Sequence, residues 1–488
     1  MLTLIFLSSG LFFGWSLGAN DGANMWGTAV TTRMVRFRTA ALIASIGVIL
    51  GATISGEGAS QTLGKLGSVN EIAGAFMVVL SAGLTVFWMT RAKLPVSTSQ
   101  AIVGSIVGWN FFAGMLTDYT ILGKIVMSWI SSLVLAGLFA AAIFLLMKKW
   151  LSVLKFSIFR VDALTRISLV VLGAFGSYAL GANNIANVMG VFVPISPFKS
   201  LKFGFIEFTG TELLFLIGGL AIAVGIFTYS KRVMSTIGEK LIKLTPQMAL
   251  VVILATAVVQ FLFASQNLHD FLIHFGLPAL PLVPVSSSQL VVGAVVGIGL
   301  AGRGRRNINL KILGRIASGW VMTPVIAAIV TFVCLFFLQN VFDQRVYRRV
   351  GYEIEPVVTA RLAGQGIRLD FVELEGSYKN AYQLHKVLRQ FNFDKITTAK
   401  IYEVSEIDLI TLKNIARFQR EVANWFTPAE IQSIRLLEDQ TFRHRWELVD
   451  TLQKTDKVWR EKRRESAGNI AARERKMDYI FNYFRIIQ

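Results

Sequence analysis

Gly18-Ala19-Asn20-Asp21-Gly22-Ala23-Asn24 lies inside an apolar segment and returns, altered, as Gly181-Ala182-Asn183-Asn184-Ile185-Ala186-Asn187. Polar, glycine-bearing interruptions at matching places of two apolar halves point to a midplane binding site. A carboxylate such as Asp21 is costly at membrane depth and calls for a partner, for which a cation is the natural choice. Close helix packing explains glycines and alanines. It explains neither the Asp nor the paired Asn.

Outward from that stretch, the composition is that of a membrane protein. The chain has 488 residues, 53% hydrophobic and only 16% charged, with a mean hydropathy of +0.56. The runs 121–147, 204–228 and 314–338 exceed the ~18 apolar residues that mark a bilayer-spanning helix. Residues 1–345 carry 24 Lys+Arg and 10 Asp+Glu, whereas 346–488 carry 25 and 20. A membrane region is therefore followed by a charged, soluble one. The formal net charge of +19 does not call for nucleic acid, because the membrane region's positive charges cluster in short loops. A single cysteine, Cys334, excludes an intrachain disulfide and a cysteine-based metal cluster.

A second landmark is repeated as well. Pro95-Val96-Ser97-Thr98-Ser99-Gln100 is restated as Pro284-Val285-Ser286-Ser287-Ser288-Gln289, and Gln61-Thr62-Leu63-Gly64-Lys65 is echoed by Ser235-Thr236-Ile237-Gly238-Glu239-Lys240. Three landmarks in one order, at offsets of 163, 174 and 189 residues, mark a duplication. The expected architecture is an all-α polytopic membrane protein: membrane repeat 1 at 1–163, membrane repeat 2 at 164–345, and a mainly α soluble domain at 346–488. Placing the basic loops 33–38, 91–93, 148–160, 231–243 and 303–315 on one side implies five crossings per repeat, which inverts the second. The first segment is expected to break at 18–24 and its twin at 181–187. Segments 95–116 and 284–300 are either crossings or re-entrant. In the tail, helices are expected at 380–392, 406–425 and 428–484, with a strand pair within 354–375. His385 and His444 read as surface residues.

The chemistry follows from the motifs. Proline is favoured at a helix start, and Ser or Thr there sets hydroxyls beside free backbone N–H groups. A helix N-terminus is a ready anion site. Two such starts can converge on one oxyanion, while Asp21 and the Asn side chains supply hard oxygens for a cation such as Na⁺. No nucleophile–base pair appears, which argues against an enzyme.

These motifs, with Phe205-Ile206-Glu207-Phe208, Gly225-Ile226-Phe227-Thr228-Tyr229 and the 236–246 run, resemble the inorganic phosphate transporter (PiT) family of sodium–phosphate symporters. The resemblance covers about 1–340 and implies a cation-coupled phosphate importer with inverted repeats, often a homodimer, in the plasma membrane. Carried over by position, it implies Na⁺ held by Asp21, Asn24 and Asn187, with Asn20, Asn183 and Asn184 nearby. It implies phosphate at Ser97, Thr98, Ser99, Ser286, Ser287 and Ser288, with further roles for Glu207, Gln100 and Gln289. Two departures stand out. The second motif has Asn184 where the family usually has Asp, and the position matched to Glu207 through Gly51 and Gly210 is Val48. Fewer coupled cations are therefore expected. Alternatives within the fold are H⁺ coupling or sulfate as cargo, and a third is a phosphate receptor that signals through its tail.

Overall fold

Inside a bilayer no water satisfies backbone N–H and C=O groups, so an apolar chain closes its hydrogen bonds within helices. The computed structural model describes every residue except 1, 68, 93–95, 155–156, 197, 199–200, 204–205, 238–244, 303–309, 368–373, 392, 423–424, 461–466 and 486–488. The chain divides into two units, Met1–Tyr347 and Arg348–Gln488, each with its own apolar core.

The first unit runs α1 (Leu2–Thr31), α2 (Phe37–Ser55), α3 (Glu57–Leu66), α4 (Ile72–Arg91), α5 (Thr98–Ala113) and α6 (Tyr119–Leu154). It continues as α7 (Ile158–Met189), α8 (Gly210–Thr228), α9 (Ser230–Ile237), α10 (Pro246–Leu262), α11 (Gln266–His274), α12 (Ser287–Gly302) and α13 (Leu310–Asn340). Among the described residues, α2, α4, α6, α8 and α13 are long and apolar enough to cross a bilayer. Helices α10 and α11 meet at 68°, as a broken span or a re-entrant loop does, and counted as one element they are apolar enough for a sixth span. Local chemistry sets several ends. Thr245 caps α10 with Pro246 in its first turn, and Gly114 at φ 67° closes α5, a left-handed conformation that suits glycine.

Two expectations are corrected here, and one open alternative is narrowed. Helices α1 and α7 run unbroken through 18–24 and 181–187. The glycines serve close crossing and the polar side chains find partners sideways, so the backbone has no reason to unwind. The interruptions lie instead before α5 and α12. Each of these helices has 16 residues, about 24 Å at 1.5 Å per residue, less than the ~30 Å hydrocarbon core. Each is entered through non-helical backbone, at 96–97 and 275–286, so the helix alone does not span at 95–116 or 284–300, and any crossing there combines a short helix with extended chain. Finally, the long span expected at 204–228 begins only at Gly210. An antiparallel hairpin of β1 (Leu201–Phe203) and β2 (Ile206–Phe208) precedes it, and the Thr209–Glu212 capping box starts α8.

The two halves repeat each other's packing. Helix α1 lies on α8 as α7 lies on α2, and α5 on α13 as α12 on α6. A Cβ on Gly18 would sit 2.0 Å from the Ile222 carbonyl oxygen, and one on Gly181 2.2 Å from that of Val48. Likewise Gly225 abuts the Trp15 carbonyl and Gly51 that of Tyr178. Gly104 and Gly108 meet the backbone of α13 at Pro324 and Ala328, while Gly293 and Gly297 meet α6 at Leu133 and Gly137. Backbone-to-backbone contact at these positions is what glycine permits and any Cβ forbids. These contacts also correct the alignment of the halves. Val48 matches Ile222, and Gly51 matches Gly225 rather than Gly210. Val48 is therefore not the counterpart of Glu207.

In the second unit, β3 (Tyr352–Ile354) pairs with β4 (Gly376–Tyr378), and β5 (Ile410–Thr411) with β6 (Thr441–Phe442). Helices α14 (Pro356–Gly364), α15 (Ala381–Leu388), α16 (Lys395–Ser405), α17 (Ile415–Val422), α18 (Pro428–Arg435), α19 (Arg445–Thr455) and α20 (Ala467–Phe484) complete it. Val357 and Val358 are helical rather than in a strand, and 369–372 lies outside the described residues. The stretch 428–484 is divided into three helices, because β6 must turn back to pair with β5. The Thr427 capping box, with Pro428 in the first turn, does start α18. His444 is buried, bonds the Glu406 carbonyl oxygen through Nδ1 at 2.7 Å, and stacks on Trp446; it is not a surface residue.

Candidate functional site

The short helices α5 and α12 place their first turns side by side. Ser97 caps α5 by accepting from the Gln100 N–H at 3.3 Å, and Ser286 accepts from the Gln289 N–H at 3.4 Å. Reciprocal bonds then join the two starts. The Ser99 hydroxyl donates to the Val285 carbonyl at 3.0 Å, and the Ser288 hydroxyl to the Val96 carbonyl at 3.2 Å. These bonds satisfy extended backbone that no water would reach. Asn183 does the same for the leader of α12. Its Nδ2 donates to the Val283 carbonyl at 3.1 Å, and its Oδ1 accepts from the Val285 N–H at 2.9 Å.

Against these helix starts lies the middle of α1. Asp21 Oδ2 accepts from the Thr98 hydroxyl at 3.1 Å, and Oδ1 accepts from Asn20 Nδ2 at 2.9 Å and Asn24 Nδ2 at 3.4 Å. Ser287, at the first turn of α12, is close enough to influence the same carboxylate. Each of these donors is a neutral hydroxyl or amide, so the negative charge is solvated but not compensated. Asp21 is 1% exposed, in a unit whose Thr98, Ser99, Asn184 and Ser287 are equally buried.

Helix α7 contributes the matching amides. Asn184 Nδ2 donates to the Ser287 hydroxyl at 3.3 Å and to the Leu180 carbonyl at 3.2 Å. Asn187 Nδ2 donates to Ser99 Oγ and to Asn184 Oδ1, both at 3.0 Å. The structure thus brings together Asn20, Asp21, Asn24, Thr98, Ser99, Asn184, Asn187 and Ser287. Asn183, Ser97, Ser286 and Ser288 hold the helix starts in place. Ser286 and Ser288 hydroxyls lie 3.0 Å apart. Glu207 is on β2, and its side chain lies outside the described residues, as does Pro95.

Buried carbonyl oxygens of Gln100, Gln289 and Asn187 have no hydrogen-bond partner among the described residues. Oxygens of this kind, like those of the Asp21 carboxylate, are the donors that hard cations prefer. One residue escaped the sequence reading. Gln260, fully buried on α10, donates Nε2 to the Ser287 hydroxyl at 2.8 Å. A lone amide in the apolar run 248–265 was the available signal.

Comparison with known proteins agrees with this geometry. A model of the family described as "Phosphate transporter family" matches residues 17–331 and 280–484. The "Putative phosphate permease" of Pyrococcus abyssi is 27% identical over 412 residues, covering 68% of this chain and 96% of its own. A protein of the same description from Haemophilus influenzae is 26% identical, covering 68% and 96%. A solved structure titled "The sodium-dependent phosphate transporter" superposes with a TM-score of 0.54 at 25% identity, covering 70% of this chain and 99% of its own. The relatives leave about a third of the chain unmatched, and the second family-model segment reaches residue 484. By that match, spanning both halves and the convergent helix starts, this chain belongs to the phosphate transporter family.

Proposed function

We propose that the protein imports inorganic phosphate across the plasma membrane, coupled to Na⁺, by alternating access of two inverted halves. The observation that carries this reading is the reciprocal bonding of the two short-helix starts, one of which is tied through Thr98 to the carboxylate of Asp21. Helix N-termini offer N–H groups and partial positive charge to the anion. Asp21 and the unpartnered amide oxygens offer ligands to the cation. The cation then stands between a negative side chain and a negative substrate, which would otherwise repel each other at low dielectric. Because the site residues are buried, anion and cation reach them only when the helices around α5 and α12 part, first toward one side and then the other.

The neutral hydrogen-bond shell of Asp21 favours H⁺ as a second reading of the coupling ion, since a carboxyl in such a shell can take up a proton in place of Na⁺. The deciding experiment is uptake of labelled phosphate and sulfate into proteoliposomes, with and without an inward Na⁺ gradient. Phosphate accumulation that requires Na⁺ supports the proposal. Phosphate binding without accumulation would mean a receptor, and uptake that follows a pH gradient alone would replace Na⁺ by H⁺.

A further inference from the structure

The two halves are matched around the site except at one wall. Phe12 lies against Phe87 at 6.1 Å between ring centroids, and its counterpart Phe175 lies against Phe261 at 5.7 Å. Phe87 on α4 therefore corresponds to Phe261 on α10, and the residues before them, Val86 and Gln260, occupy equivalent places. Both are fully buried. Where the first half has an acid and an aliphatic residue, Asp21 and Val86, the second has two amides, Asn184 and Gln260. Both amides donate to Ser287 Oγ, Gln260 at 2.8 Å and Asn184 at 3.3 Å. Ser287 Oγ thus accepts from both amides, which engages its lone pairs and leaves its proton to be donated. The other end of the Gln260 amide, Oε1, has no partner among the described residues. A buried acceptor left unpaired is destabilising in itself, so it calls for a donor that arrives with a ligand.

We propose that Gln260 Oε1 is the specificity-determining acceptor for the hydroxyl of a protonated oxyanion, so that the site takes phosphate carrying a proton and rejects fully deprotonated tetrahedral anions such as sulfate. This rests on the phosphate-transport reading and deepens it. The other groups at hand for an anion, the Ser287 hydroxyl proton and the backbone N–H groups of the two helix starts, are donors, which bind sulfate and phosphate oxygens alike. An uncharged acceptor among them attracts a P–OH and repels the bare oxygen of sulfate. A site built to pair a substrate hydroxyl discriminates strongly against an analogue that lacks it, because the buried group is then left unpaired. The amide suits this task better than a second carboxylate, since it reads the proton without adding a charge that would repel the anion.

The test uses the full-length protein in proteoliposomes and measures, at one pH and saturating Na⁺, the KM for phosphate and the inhibition constant of sulfate. Gln260→Met keeps the volume and removes the acceptor, whereas Gln260→Glu keeps an acceptor. Gln260→Met is expected to narrow the sulfate-to-phosphate ratio by about 10-fold or more, with the Na⁺ concentration for half-maximal uptake unchanged. Gln260→Glu is expected to retain the preference for phosphate. Equal weakening of both anions by Gln260→Met would reduce Gln260 to a packing residue and overturn the proposal. A changed Na⁺ requirement with an unchanged ratio would make it a cation ligand and overturn it equally. If Gln260→Met does not insert, the ratio in Gln260→Glu decides, since its loss there contradicts an acceptor role. Wild-type vesicles that accumulate no phosphate at all would instead refute the transport reading itself.

Discussion

The Thr98 hydroxyl donates to Asp21 Oδ2 at 3.1 Å, tying the first turn of a short helix to the middle of a long one 77 positions earlier in the chain. Through that bond and the reciprocal bonds between the starts of α5 and α12, Asp21 is tied to both short helices.

Asp21→Asn is expected to abolish Na⁺-stimulated uptake. A unit charge about 4 Å from a cation is worth on the order of 4 kcal/mol at an effective dielectric of ~20, so the Na⁺ requirement should rise by about 100-fold or more. Initial rates across a Na⁺ titration measure this. Near-wild-type stimulation in the variant would remove Asp21 from the coupling mechanism.

Asn184→Asp adds a second carboxylate beside Ser287 and removes the amide that now donates to it. Two carboxylates near one hydroxyl cannot both stay ionised without a cation. The Hill coefficient for Na⁺, or the number of ions per phosphate from reversal potentials, is expected to increase. An unaltered stoichiometry would place position 184 away from any cation.

Ser99→Ala and Ser288→Ala each strip a buried carbonyl, of Val285 and of Val96 respectively, of its hydroxyl donor. Each is expected to cost about 1–3 kcal/mol and to raise the KM for phosphate, because the helix starts lose their mutual register. Thermal melting of the purified protein and uptake kinetics report the two effects separately. If melting falls while KM stays constant, the reciprocal bonds are structural only.

Gly18→Ala and Gly181→Ala place a Cβ within 2.0 and 2.2 Å of backbone carbonyls on the crossing helices. Overpacking of this kind typically costs ~1–3 kcal/mol, and the two variants should behave alike because their crossings are equivalent. Melting temperatures compare them directly, and a tolerant Gly181→Ala would argue against the equivalence of the crossings.

In the second unit, burial pushes the Asp408 carboxyl up, but the Arg485 and Arg445 guanidiniums that bond it outweigh this and hold it below the usual carboxylate range. A depressed value means that the pair stabilises the fold above the unfolded carboxylate pKa of ~3.9 and loses that contribution as pH falls through the folded value. Asp408→Asn should therefore weaken this unit by about 3–5 kcal/mol at neutral pH, since it leaves the buried Arg485 guanidinium without its carboxylate, whereas Arg445 is exposed enough for water to screen it. Hydrogen exchange in 404–412 should rise at pH 7, and the difference from wild type should shrink as pH falls below the usual carboxylate range.

Composition and motif repetition were enough to place a duplicated apolar region ahead of a charged tail, and to single out Asp21, Asn187, Thr98, Ser99 and Ser287. Polar residues repeated inside apolar runs must be there for a reason other than solvation, and that reasoning needs no coordinates. Tertiary packing decided the rest. Whether Gly18 marks a break or a crossing depends on what approaches it, and the Ile222 carbonyl approaches it. Gln260 gained its place only through contact with Ser287, and Val48 found its true counterpart, Ile222, only through the helix it packs against. His444 and the three-way division of 428–484 were likewise set by long-range pairing. Periodicity reports which residues avoid water, but not which distant backbone they meet.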